Sequence, residues 1–184
     1  MFTIVATRFN NETWRENVDY RIKNNYNGCI YGSPKEMPDR VEYNSTVCVI
    51  EMNNTENKIQ GIGIVKNTPV TTKYFKIYND ANYNRYVYIS EFRLDREIIL
   101  HYNKELVYTL ENMLFKGKTH LKRGYAFTTI TEKVLSYNVC KNINIKKEIQ
   151  NIFQNHYIKE REAKENESYL ETREQQEQIQ EVLI

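Results

Sequence analysis

At 184 residues the chain is long enough for one domain with a real core, and two independent domains would leave each near the lower size limit. The three cysteines, Cys29, Cys48 and Cys140, are odd in number and far apart, which excludes a disulfide framework and a CxxC knuckle; no apolar run reaches the ~20 residues of a membrane span, and MFTIVATRF is too short for a secretory signal. Residues 159–184 carry Lys159, Arg161, Lys164 and Arg173 against eight glutamates, a net −4, so the formal total of +2 leaves +6 on the rest.

Phe2 to Thr7 reads as a first strand, rich in β-branched and aromatic residues. Asn10 or Asn11 can cap a helix over roughly Glu12 to Asn25, with Trp14, Val18 and Ile22 on one stripe and Asn27-Gly28 as its stop. Cys29 to Gly32 is a short extended piece, and Pro34 and Pro38 make the next segment a loop. Val41 to Lys66 reads as a hairpin. Its first strand carries Val47, Val49 and Met52, its turn runs Asn53 to Asn57, and its second strand holds Gly61 and Gly63, glycines that mark a bend or a close approach.

Tyr74 to Tyr78 predicts another strand, followed by a polar turn at Asn79 to Asn82 and a strand from Tyr86 through Ile89 toward Phe92 and Leu94. Leu106, Leu110, Met113 and Leu114 predict a helix over Asn103 to Phe115, closed by Lys116-Gly117. Lys118 to Ile130 reads as extended around Gly124, with Tyr125 and Phe127 sharing a face, and Thr131 can cap a short helix with Val134 and Leu135. From Ile143 onward the pattern is a long helix. Ile145, Ile149, Ile152 and Phe153 form its stripe, and the charged remainder reaches an apolar end at Ile179, Val182, Leu183 and Ile184. The domain reading is therefore a body of residues 1–142 and a charged helix of 143–184, with the second a candidate surface for a protein partner.

Two clusters combine cations with aromatic rings. Lys116, Lys118, His120, Lys122 and Arg123 lie beside Tyr125, and Arg85 lies among Tyr83, Tyr86 and Tyr88. Cations neutralise phosphates and rings stack on bases, so both clusters point to RNA or DNA; the plainer alternatives are a solvated basic loop and a half-buried sheet face. Trp14 could close a base pocket from the first helix or serve the core. Asp19, Glu51, Asp80, Glu91, Asp95 and Glu97 are scattered, and His101, His120 and His156 form no HxH or HExxH pattern, so neither catalytic residues nor a metal nor another cofactor is assigned. Gly61-Ile62-Gly63 lacks the third glycine and following helix of a dinucleotide fingerprint.

The order of strand, helix, proline-bearing loop, hydrophobic strand, polar turn and glycine-containing strand resembles the opening of PUA-like domains, including the EVE, ASCH and YTH groups. The likeness rests on Phe2 to Thr7, the Trp14 helix, and Val47 to Val65 with Gly61 and Gly63. Over about the first 130 residues it implies an α+β fold, a small mixed β-barrel with flanking helices that takes a nucleotide between barrel and helix, to which the residue pattern adds the long C-terminal helix. With Trp14 as the sole tryptophan, the several-tryptophan methyl cage of YTH readers is not expected. The Asn-, Ile- and Tyr-rich texture is similar to proteins of large DNA viruses of protists, which implies an intracellular setting, host cytoplasm, viral factory or virion. The leading expectation is a non-enzymatic reader of RNA or of a modified or flipped base. Its rivals are a viral assembly protein working through the C-terminal helix, and a nuclease on the same scaffold.

Overall fold

The computed structural model describes residues 2–117 and 120–182, and side chains through 163 together with 165. The chain divides into two compact units, Met1–Ile145 and Lys146–Ile184. The first is an α+β body. Strands β1 (Thr3–Phe9), β3 (Thr46–Asn53), β4 (Lys58–Lys66), β6 (Arg93–Asp95) and β7 (Thr128–Thr129) form one sheet in the order β6-β4-β3-β1-β7, and β2 (Cys29–Ser33) pairs with β5 (Tyr86–Ser90) in a two-stranded ribbon. Among the described residues only β1 and β3 run parallel, and the chain between them contains helix α1 (Asn11–Lys23) and β2, as a parallel crossover requires.

The hairpin expected at Val41 to Lys66 is β3 and β4, with a register shift between Glu51 and Met52. Both faces of β3 are buried. Val5, Phe9, Val47, Val49 and Val65 meet the ribbon residues Ile30, Tyr31, Val87 and Tyr88 in one cluster, while helices α2 (Arg96–Tyr102) and α3 (Lys104–Phe115) contact β4. The spacing of Gly61 and Gly63 reflects close approach. A Cβ on Gly63 would stand 2.2 Å from the Tyr31 hydroxyl, and one on Gly61 would stand 2.7 Å from Glu51 Oε2 and from the Leu94 carbonyl.

Those contacts surround a buried ion pair. Arg93 donates from Nε to Glu51 Oε1 at 2.9 Å and from Nη2 to Oε2 at 2.8 Å, and the Tyr31 hydroxyl donates to Oε1 at 2.8 Å. Burial alone would lower the Arg93 pKa, but Glu51, Tyr31 and Asp95 together hold it above its ordinary value. A buried carboxylate is stable only when its lone pairs are satisfied in this way.

The strands described pair as a five-stranded sheet and a two-stranded ribbon, without a closed barrel among the described residues. Several local expectations are corrected. Tyr74 to Tyr78 is irregular: the Asn84 side chain accepts from the amides of Ile77 and Tyr78, both at 2.9 Å, and donates to the Tyr78 carbonyl at 2.7 Å, replacing a neighbouring strand. Residues 120–127 form a loop, in which Tyr125 is 55% exposed and Phe127 buried, so the two do not share a face. On α1, Ile22 is 69% exposed and Asn17 is the buried residue, donating to the Ile30 carbonyl at 2.7 Å and to the Tyr78 hydroxyl at 3.1 Å. Helix α2 had no counterpart in the sequence reading. Thr131 precedes the short helix α4 (Glu132–Leu135) but makes no side-chain cap bond.

The second unit contains α5 (Ile145–Val182), 38 residues long, or about 57 Å at 1.5 Å per residue. Leu183 and Ile184 of the expected apolar end lie outside the described residues, as do the side chains of Ile179 and Val182. Among the described residues no helix is long and apolar enough to cross a membrane.

Candidate functional site

The junction of β1 and α1 organises the site. Asn10 accepts at Oδ1 from the Thr13 amide at 2.8 Å, and Thr13 Oγ1 accepts from the Asn10 amide at 3.1 Å, a reciprocal cap that sets the direction in which α1 leaves the sheet. Trp14 sits in the next turn and packs edge-on against Phe9, ring centroids 5.2 Å apart, with the guanidinium groups of Arg21 and Arg93 each 5.7 Å from its ring.

From the same strand end, Arg8 reaches into the loop that joins α3 to β7. Its Nε donates to the Leu121 carbonyl at 2.5 Å, Nη1 to the Ala126 carbonyl at 3.1 Å and Nη2 to Thr128 Oγ1 at 2.9 Å. Burial lowers the Arg8 pKa, yet a guanidinium stays charged. Asn54 adds a bond from Nδ2 to the Lys122 carbonyl at 3.0 Å, while its Oδ1 is buried and accepts nothing from the described residues. Ala126 adopts φ 58, a left-handed conformation that costs about 1–2 kcal/mol for a residue with a Cβ, and Arg8 holds its carbonyl there.

Between these elements opens a cavity of about 370 Å³. Phe9, Tyr78, Tyr83 and Tyr125 supply rings, and Glu12, Glu16 and Asp80 supply carboxylates. The segment carrying Tyr78 and Tyr83 can lie against β2 because Gly32 has no side chain: a Cβ there would stand 2.1 Å from the Tyr83 carbonyl. Tyr78 and Tyr83 meet edge to face at 6.1 Å. Burial raises the Tyr78 pKa, so its hydroxyl, which accepts from Asn17, is neutral at ordinary pH. Burial, then the nearby Tyr125 and Asp80, raises that of Tyr83.

The lining carries three carboxylates, of which Glu12 and Asp80 are exposed and Glu16 is half-buried. Arg8, the basic residue among those lining the cavity, is engaged with the loop, and the carboxylates face a ligand with hydrogen-bond acceptors. At the rim Lys35 Nζ lies 5.5 Å over the Tyr125 ring, and Arg123 is exposed two residues from it. An apolar and aromatic cavity with a few convergent polar groups is the usual form of a small-ligand site, and this volume falls at its lower end.

The predicted residues are distributed unevenly over this geometry. Tyr125 lines the cavity and Arg123 adjoins it. Lys122 is tied to the β3–β4 turn, its Nζ donating to Asn57 Oδ1 at 2.7 Å. Lys116 is exposed at the end of α3, and Lys118 lies outside the described residues. Trp14 is not among the lining residues. Arg85 and Tyr86 line a second cavity, beyond the end of the ribbon. Sequence reasoning missed Arg8, Lys35 and Tyr78 as site residues, and it grouped Tyr83 with Arg85, whereas the structure places Tyr83 at the first cavity and Arg85 at the second. Asp80 was noted only as a scattered acid, although Asp80-Ala81-Asn82 does carry an Asx-turn signal, with Asp80 Oδ1 accepting from the Asn82 amide at 2.9 Å.

Among the described residues no group of three or more His, Cys, Asp or Glu is placed to hold a metal ion. Comparison with protein-family models, with curated proteins and with solved structures returns no match.

Proposed function

We propose that the chain is a non-enzymatic nucleic-acid-binding module of the PUA-like kind, in which the open sheet and the β2–β5 ribbon stand for the barrel wall and the cavity beside α1 takes a single unstacked base of RNA or DNA. The observation that carries this reading is an aromatic cavity whose lining carries carboxylates, with the exposed cations Lys35 and Arg123 beside it. Carboxylates repel phosphate and accept hydrogen bonds, so the lining suits a base edge that donates, such as the amino groups of cytosine or adenine. Phosphates are left to the rim, where Lys35 and Arg123 supply cations and Tyr125 supplies a stacking face.

The test is fluorescence-anisotropy binding of the whole chain to labelled single- and double-stranded RNA and DNA, with and without base methylation, across a salt series. Saturable binding that weakens with salt, prefers single strands and falls on Tyr125→Ala while surviving Tyr125→Phe is the expected result. Absence of binding to every probe at low salt refutes the reading.

The 38-residue α5, which lies in a unit of its own, favours a second reading in which it docks on a protein partner in an assembly, viral in the setting that the composition resembles. Truncation after Ile158 separates the two, because it abolishes assembly under this reading and leaves base binding intact under the first.

A further inference from the structure

The second cavity, also of about 370 Å³, lies beside the first. Lys73, Tyr74, Arg85 and Tyr86 give it two cations and two phenol rings, with Glu36 as the one carboxylate and Val70 on its floor. Tyr74 is 66% exposed, and the Arg85 guanidinium stands 5.5 Å over the Tyr86 ring. Among the described residues neither Lys73 nor Arg85 has an ion pair or hydrogen bond to a side chain or carbonyl, while the Lys73 ammonium rests 5.3 Å over Phe75. The charge is thus opposite in sense to that of the first cavity, whose lining carries Glu12, Glu16 and Asp80 against Arg8.

Topology makes the two cavities neighbours. Ser33 pairs with Tyr86 at the end of the ribbon, so Ser33 and Pro34 line the first cavity and Glu36 the second, while Tyr83 lines the first and Arg85 and Tyr86 the second. Lys35 stands in the chain between Pro34 of the first lining and Glu36 of the second, on the ridge this order implies, with its ammonium 5.5 Å over the Tyr125 ring. Tyr86 follows Tyr83 by three positions, so their Cα atoms are at most about 11 Å apart. A few nucleotides cover that span at about 3.4 Å or more each.

We propose that the second cavity is the subsite for the nucleotide flanking the captured base: Lys73 and Arg85 hold its phosphodiester and Tyr86 or Tyr74 stacks on its base, so that a single strand crosses the ridge under Lys35. This rests on the base-binding reading of the first cavity and adds a direction and a footprint to it. The site is built for a polyanion with planar groups, whereas the first is built for a planar group alone.

The experiment compares two probes on the full chain: cytidine monophosphate, which fills only the first cavity, and a labelled single-stranded oligocytidine of about six nucleotides, which spans both. The variant is Lys73→Glu with Arg85→Glu, its fold checked by circular dichroism; both residues are exposed and neither lines the first cavity. The expected result is a loss of oligonucleotide affinity of about tenfold or more, with a slope of log affinity on log salt shallower by about 0.7 for the one phosphodiester, and unchanged affinity for the mononucleotide. Wild-type affinity and slope for the oligonucleotide in the folded variant overturns the subsite alone. Equal loss for both probes also overturns it, by assigning the cations to the first cavity. Failure of the wild type to bind either probe overturns the base-binding reading and the subsite with it.

Discussion

Replacing Arg8 tests whether one side chain joins the fold to the cavity. Arg8 supplies three bonds to the loop of Tyr125, to Leu121, Ala126 and Thr128, and their acceptors come from a segment with little regular structure of its own. A hydrogen bond from a charged donor contributes about 1.5–3 kcal/mol, but Arg8 is only half-buried and the freed acceptors can meet water, so about 1 kcal/mol each is the better figure. Arg8→Ala should therefore cost about 3 kcal/mol. Arg8→Lys, which keeps the charge but lacks the fork, should cost about 2 kcal/mol. For a body of this size 3 kcal/mol corresponds to a fall in Tm of about 6–12 °C. Urea unfolding measures the loss, and amide hydrogen exchange over residues 120–128 locates it. Ligand affinity should fall with the exchange protection, because Tyr125 no longer has a fixed position. An Arg8→Ala protein with wild-type Tm and unchanged exchange in that loop would refute the reasoning.

The Glu51–Arg93 pair should behave as a buried ion pair: Arg93→Met alone leaves a carboxylate stranded and should cost about 3–5 kcal/mol in urea unfolding, whereas Glu51→Leu with Arg93→Met should recover most of that loss. Gly63→Ala should cost at least about 1–3 kcal/mol, read as a lowered denaturation midpoint, since its Cβ would lie 2.2 Å from the Tyr31 hydroxyl and 2.7 Å from Cys29 Sγ. Burial pushes the Cys29 thiol up from 9.0 to about 12, and burial, then the neighbouring Cys29 and Glu91, pushes the Tyr26 hydroxyl up from 10.0 to about 12. The folded state then holds protons that the unfolded state releases, so this contribution is fully present below pH 9 and is lost as pH rises toward 12; a series of urea midpoints across that range should decline, more gently in Cys29→Ala.

Local chemistry was legible in the sequence wherever neighbours along the chain suffice. The Asn10 cap, the β3–β4 hairpin and α3 follow from a capping side chain, a polar turn between β-branched runs and a helical apolar spacing, none of which needs a distant partner. The glycine pair in β4 announced a close approach without naming what approached, and only the folded chain supplies Tyr31 and Glu51. Tyr125 could be marked as an aromatic beside cations, but its place at a cavity depends on Arg8, 117 positions earlier, and on Asn54. The Tyr74 to Tyr78 segment alternates like a strand and is none, because the Asn84 amide satisfies its backbone where a sheet edge would. The gathering of carboxylates in the cavity lining, beside exposed cations, is likewise tertiary. Glu12 and Glu16 of α1 come to face Asp80 and Tyr83 only because Gly32 admits that distant segment against β2, and no periodicity along the chain encodes such a meeting.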